Sequence, residues 1–186
     1  PWGPLSRRLR ARVAMAVAAS PKETADWPGF ADAGLIADLE QWLLPALQGH
    51  SRIETLGDRG LHEALAARLT HAQRRRLDEW APLQLTVPTG SRVDVDYLDD
   101  SAPCIEVRLQ ELFGLADTPR LVGGRVPVTL KLLSPARRPV QITRDLAGFW
   151  RGSYADVRKD MRGRYPRHYW PEDPLQAEPT RGIRPR

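Results

Sequence analysis

Asp94 and Asp96 stand two residues apart in Arg92-Val93-Asp94-Val95-Asp96-Tyr97, where polar and apolar residues alternate. Alternate side chains of a strand share one face, so both carboxylates emerge on the same side, and Glu106 can face them across the following turn. Three converging carboxylates can hold Mg2+ for phosphodiester hydrolysis. The plainer reading, which we prefer, is that they form the solvated polar face of a half-buried strand. Other catalytic patterns are missing from the sequence. There is no Gly-Lys pair and hence no phosphate-binding P-loop, no Gly-x-Ser-x-Gly turn, no His-Glu-x-x-His and no paired Cys/His spacing. The four histidines, His50, His62, His71 and His168, are dispersed and read as surface or capping residues. We therefore expect no catalytic residue, no bound metal and no cofactor in this chain.

Binding chemistry is better represented. Between Ser134 and His168 lie nine basic residues, Arg137, Arg138, Arg144, Arg151, Arg158, Lys159, Arg162, Arg164 and Arg167, against three acids, Asp145, Asp156 and Asp160. Phe149, Trp150, Tyr154, Tyr165, Tyr169 and Trp170 are interleaved with them. Cationic side chains displace counterions from a phosphate backbone, and exposed rings stack on unpaired bases. The nine are candidate contacts to single-stranded RNA or DNA, with Arg158 and Arg162, four apart on one helical face, foremost. Two alternatives stand beside this: aromatic residues at helical spacing serve as core, and the charges form a solvated face or dock on an acidic protein surface. The whole-chain charge of +5 fits an acidic partner. Of the 28 basic residues all but Lys22, Lys131 and Lys159 are arginine, a bias that also follows from GC-rich coding.

The elements that would position these residues change character along the chain. Arg7, Arg8, Arg10 and Arg12 precede the short apolar run Val13 to Ala19 in the manner of a signal peptide, but Leu5, Leu9, Val13 and Val17 recur at helical spacing, so the stretch from Leu5 to Ala19 predicts a helix closed by Ser20-Pro21. A second helix carries Leu35, Ile36, Leu39, Trp42, Leu43 and Leu47 on one stripe, with Pro45 expected to kink it. Leu61, Leu65 and Leu69 mark a third, and Thr70-His71-Ala72-Gln73 predicts a capping box for a fourth, ended before Pro82. Beyond Pro82 the apolar period falls to two, which predicts five or six short antiparallel strands, with Gly123-Gly124 supplying a hairpin turn. Helical spacing returns at Leu146, with a cap at Ser153 and a stop at Gly163. The expected fold is α+β: a helical part over 1–81, a small antiparallel barrel or curled sheet with C-terminal helices over 82–175, and a disordered proline-rich tail over 176–186. A single cysteine, Cys104, and no long apolar run suggest a reducing, cytoplasmic setting without membrane contact.

Several runs carry a family resemblance. Leu133-Ser134-Pro135-Ala136-Arg137-Arg138-Pro139, Phe149-Trp150-Arg151-Gly152-Ser153-Tyr154, Arg162-Gly163-Arg164-Tyr165-Pro166 and Trp170-Pro171-Glu172-Asp173-Pro174 are the most specific. Gln110-Glu111-Leu112-Phe113-Gly114, Gly123-Gly124-Arg125-Val126-Pro127, Val87-Pro88-Thr89-Gly90-Ser91 and, loosely, Asp26-Trp27-Pro28 extend them upstream. Together they resemble the C-terminal region of the HrpB family of bacterial DEAH-box ATP-dependent helicases. The resemblance implies a C-terminal piece of a longer protein whose motor domains, elsewhere, bind ATP and Mg2+, and it implies that the small barrel of this piece is OB-like. It also implies two partners for the piece itself, the helicase core of the same polypeptide and the single-stranded nucleic acid on which that core acts, with a further protein partner as an alternative.

Overall fold

The computed structural model describes residues 2–50 and 52–183 and divides them into two compact units, Pro1–Pro82 and Leu83–Arg186. No described helix is long and apolar enough to cross a membrane.

The first unit is helical: α1 (Pro4–Ala19), α2 (Asp32–Ala37), α3 (Leu39–Ala46), α4 (Gly57–Ala67) and α5 (His71–Trp80). Leu9, Val13 and Ala16 turn the middle of α1 inward, while Leu5 and Val17 at its ends stay over a third exposed. Arg12 is buried with them: its Nε donates to the Ala81 carbonyl at 2.7 Å, and Nη2 meets Asp78 Oδ1 at 2.7 Å. The expected single second helix breaks at Asp38 rather than at Pro45. Asp38 leaves the helical region and its carboxylate takes a 2.8 Å bond from Arg68 Nη2, while the Leu35 carbonyl is taken by Trp42 Nε1 at 2.9 Å. The break redirects the predicted stripe. Leu35, Trp42 and Leu43 are buried, but Ile36 is 70% and Leu39 43% exposed, on an apolar trough of about 510 Å3 shared with Trp2, Ile53 and Leu61. Leu61, Leu65 and Leu69 are buried as expected, and both bonds of the Thr70–Gln73 capping box form.

The first turn of α1 has no capping side chain of its own. Asp58, in the first turn of α4, supplies one: its Oδ2 accepts the Leu5 amide at 2.8 Å and its Oδ1 accepts the Ser6 amide at 3.1 Å and Ser6 Oγ at 2.7 Å. Glycine at position 3 permits the approach, because a Cβ there would sit 2.2 Å from the Asp58 Cγ. Gly3→Ala is accordingly expected to lower the thermal midpoint, and at this N-cap position alanine is in any case the poorer residue. Desolvation pushes the Asp58 carboxyl up, but the bonds from Ser6 Oγ and the two amides outweigh it and hold it below the usual 3.8. A carboxyl depressed in the folded state stabilises fully above its unfolded value and loses that contribution as pH falls through the folded one. A thermal midpoint that declines between pH 5 and pH 3, with a smaller decline in Asp58→Asn, is the expected result.

The second unit contains β1 (Gln84–Thr86), β2 (Arg92–Asp94), β3 (Cys104–Arg108), β4 (Arg120–Leu121), β5 (Val126–Pro127), β6 (Thr129–Leu133) and β7 (Pro139–Thr143), followed by α6 (Leu146–Arg151) and α7 (Tyr154–Arg164). β1 and β2 pair antiparallel, a single bridge from Asp96 to Cys104 leads on to β3, β3 runs parallel to β6, and β6 pairs antiparallel with β7. An all-antiparallel set was expected. The chain between β3 and β6 spends its length on a 3-10 turn at Leu109–Leu112 and on the β4–β5 hairpin, and so re-enters beside β3 in the same direction, as parallel pairing requires. Gly123 and Gly124 do turn that hairpin with positive φ. The strands do not close into a barrel: the sheet order β3-β6-β7 ends at β7, and β1 pairs with β2 alone. The α+β class is as expected; a closed OB-like barrel is not formed.

Residues 176–183, expected to be disordered, pack against this unit. Ala177 and Thr180 are buried, the Thr180 amide donates to the Gln110 carbonyl, and Arg181 binds Ser91 Oγ at 2.7 Å and the Thr89 carbonyl at 2.8 Å. Pro179 interrupts regular structure there, yet partners elsewhere in the unit take up part of the irregular backbone. Residues 184–186 lie outside the described residues.

Candidate nucleic-acid interface

The aromatic residues settle first, because they fix everything around them. Phe149, Trp150 and Tyr154 are all buried; Trp150 and Tyr154 lie at centroid distances of 6.2 and 6.5 Å from the fully buried Phe113, and Phe149 packs on those two rings. They are core, as their helical spacing suggested. Trp150 Nε1 donates to the Leu115 carbonyl at 2.7 Å, and Tyr154 Oη donates to the Pro171 carbonyl at 2.7 Å. Burial pushes the Tyr154 hydroxyl well above the ordinary phenol range. Asp145 begins α6 by accepting the Gly148 amide at 2.8 Å. The Ser153 side chain makes no such cap for α7, and Gly163 lies inside that helix, which ends at Tyr165 ahead of Pro166.

Five of the nine candidate cations, Arg137, Arg138, Arg162, Arg164 and Arg167, are exposed and belong to two segments joined by one side-chain contact. Ser134 opens the tight turn between β6 and β7. Its carbonyl accepts the Arg137 amide, its amide donates to the Arg138 carbonyl, and its Oγ accepts the Arg138 amide at 3.1 Å. Arg137 takes a φ of 61°, and both arginine side chains are exposed. The Ser134 Oγ also lies 3.3 Å from Tyr165 Oη. This one contact sets the Arg137–Arg138 turn beside the last turn of α7, which carries Arg162 and Arg164, and beside Arg167 two residues further on. Only Arg164 of the five has an ion-pair partner among the described residues, Asp160 at 3.2 Å.

The other four are placed differently. Arg144 lies past the opposite end of β7, where Nε binds Thr129 Oγ1 at 2.7 Å and Nη2 reaches the Ser101 carbonyl at 3.4 Å. Arg158 is tied down: Nε donates to the Trp170 carbonyl at 2.9 Å and Nη2 meets Glu172 at 3.5 Å, leaving the side chain 21% exposed. That geometry makes it a brace for the segment after α7 rather than a free cation. Arg151 and Lys159 are exposed and have no ion pair among the described residues.

The three carboxylates do not converge on a metal position. Asp94 accepts Gln84 Nε2 at 2.7 Å, and Asp96 folds back on the amides of Leu98 and Asp99 at 2.8 and 3.2 Å. Glu106 sits opposite Lys131 in the β3–β6 ladder. Asp96 does lie near Asp99 and Cys104, but Asp99 already accepts Lys131 Nζ at 2.6 Å, so an ammonium stands where a cation would. The Lys131 and Ser101 bonds hold the Asp99 carboxyl far below the carboxylate range and raise the Lys131 ammonium.

Tyr165 and Trp170 stood among the aromatic residues of the basic segment, but the contacts that organise it, Ser134 to Tyr165 and Arg158 to the Trp170 carbonyl, were not expected from the sequence. Ser134 and Tyr165 are far apart in sequence, and no local pattern signals such a meeting. The Asp145 cap was not expected either, although its signal was present: Asp stands three residues before the bonded Gly148 amide at the start of an apolar helical pattern.

Comparisons with known proteins agree with this architecture. Residues 42–174 match the family model HrpB_C, described as ATP-dependent helicase C-terminal. The chain is 46% identical over 180 residues to the ATP-dependent RNA helicase HrpB of Escherichia coli, covering 97% of this chain and 22% of that protein. Among solved structures, the E. coli DExH-box NTPase HrpB superposes with a TM-score of 0.89 at 45% identity, over 97% of this chain and 22% of that one. A structure of the E. coli DEAH/RHA helicase HrpB gives 0.75 at 43%, over 91% and 21%. The chain thus spans about a fifth of the length of the relatives it matches.

Proposed function

We propose, from the premise that this chain belongs to the HrpB_C family of ATP-dependent helicase C-terminal regions, that it is a non-catalytic accessory region which grips a single nucleic-acid strand by its phosphates. ATP binding and hydrolysis, with Mg2+, then belong to motor domains on the same polypeptide, and this region works beside that core. The E. coli relative is described as an RNA helicase, which makes RNA the first strand to test.

What supports the reading is the Ser134–Tyr165 contact, which ties the turn bearing the exposed Arg137 and Arg138 to the segment bearing the exposed Arg162, Arg164 and Arg167. Arginine suits this task because its guanidinium stays charged and forks two hydrogen bonds to phosphate oxygens. Binding of this kind is driven by counterion release and weakens with salt, by about 0.7 in the logarithmic slope for each phosphate contacted on a single strand.

The test is fluorescence anisotropy of the 186-residue chain with a labelled 12-nucleotide RNA across a salt series. Arg137→Glu combined with Arg162→Glu should weaken binding at least tenfold at low salt, flatten the salt dependence, and leave the thermal midpoint in place. Arg144→Glu, far from the joint, should change affinity much less. Binding indifferent to salt and to the paired reversal would overturn the proposal and favour docking of the arginines on an acidic protein surface.

A further inference from the structure

Of the six aromatic residues in the basic segment, four are committed to packing and one to the joint. Phe149, Trp150, Tyr154 and Trp170 are buried, and the Tyr165 hydroxyl is engaged by Ser134. Tyr169 is different. It is 37% exposed, and its contact with Phe113 is edge to face, with centroids 6.3 Å apart and planes at 87°. A perpendicular neighbour does not stack on the ring, and over a third of Tyr169 is open to solvent.

The backbone that carries it is fixed from several directions. The His168 amide and Trp170 Nε1 both donate to the Tyr165 carbonyl at 3.0 Å, Arg158 Nε holds the Trp170 carbonyl at 2.9 Å, and Tyr154 Oη holds the Pro171 carbonyl at 2.7 Å. Arg167, one of the clustered cations, stands two residues before it, and Tyr165, at the joint itself, four before. An exposed ring on a braced segment beside cations offers a stacking surface at little ordering cost.

We propose that Tyr169 is a base-stacking platform: an unpaired base lies on its open face while neighbouring phosphates are held by the arginine cluster. The site thereby selects unpaired strands, since a base inside a duplex has both faces already stacked. This inference rests on the phosphate-binding reading above and adds the residue that makes it strand-selective.

The experiment compares the 186-residue chain with Tyr169→Leu and Tyr169→Phe on a 12-nucleotide single-stranded RNA and on a hairpin duplex of the same sequence. Stacking is worth a factor of about five to a hundred per base when the ring is removed. Tyr169→Leu should therefore lose at least fivefold on the single strand and less than twofold on the duplex, with an unchanged salt slope. Tyr169→Phe, which keeps the ring, should bind like the parent chain. A 2-aminopurine in the strand should be quenched by the parent chain and not by Tyr169→Leu, and matched thermal midpoints exclude a folding defect. Equal losses on both ligands, no loss on the single strand, or a Tyr169→Phe loss as large as that of leucine would overturn the inference. If instead the arginine reversals and salt leave binding untouched, it is the phosphate reading that falls, whatever Tyr169 does.

Discussion

Phe113→Ala is expected to lower the unfolding free energy of the sheet-containing unit by about 3–5 kcal/mol. Phe113 is fully buried, and its ring meets Trp150, Tyr154 and Tyr169 within 6.5 Å. Truncation to alanine removes its buried apolar area, opens a cavity that three rings cannot easily fill, and forfeits their quadrupolar contacts. Urea unfolding followed by far-UV circular dichroism would measure the loss. Phe113→Leu, which keeps most of the volume, should cost markedly less. A loss in the alanine variant below about 1 kcal/mol would mean that the aromatic cluster does not hold this unit together. The same substitution has a second reading, because Phe113 also supports Tyr169: strand affinity should fall in a variant that still folds at low temperature.

The second large effect lies in the helical unit. Arg12→Ala should cost about 2–4 kcal/mol, combining a buried carbonyl left without a donor with the lost packing of the arginine stem. The carbonyl belongs to Ala81, which is fully buried, so water cannot replace the lost bond. Asp78, 73% exposed, is relieved by solvent and adds little. Arg12→Lys can satisfy one of the two partners and should fall between alanine and the parent chain. A denaturant midpoint for Arg12→Ala within error of the parent would show that the clamp between α1 and α5 is dispensable.

These residues also mark how far the sequence could be read. Helical spacing located α1, α4 and α5, and the capping box and the Gly123-Gly124 turn were legible because each is a local device with a fixed spacing. The strands were legible as strands from their period of two, but the direction of β6 was not. Parallel pairing with β3 depends on how the intervening chain travels, and periodicity carries no record of that. The break at Asp38 was hidden for a similar reason: Pro45 is the visible helix breaker, whereas the partner that draws Asp38 away, Arg68, is thirty residues off. Arg12 was the least legible. In sequence it is one of four arginines ahead of an apolar run, and only its burial distinguishes it from Arg7 and Arg8. The candidate interface followed the same rule. Composition marked out the basic segment, but it could not separate Arg158, which braces Trp170, from Arg162, which is exposed.

The bond from Asp58 to the first turn of α1 has a kinetic consequence. The amides of Leu5 and Ser6, at a helix end that would ordinarily fray and exchange with solvent within seconds, depend on a carboxylate that exists in position only while the first turn of α4 is formed. In a native-state deuterium-exchange experiment these two amides should therefore share the opening free energy of the α4 amides and shift with them as urea is added. Two chain segments more than fifty residues apart would then open as one unit, with the beginning of the first helix reporting on the fourth.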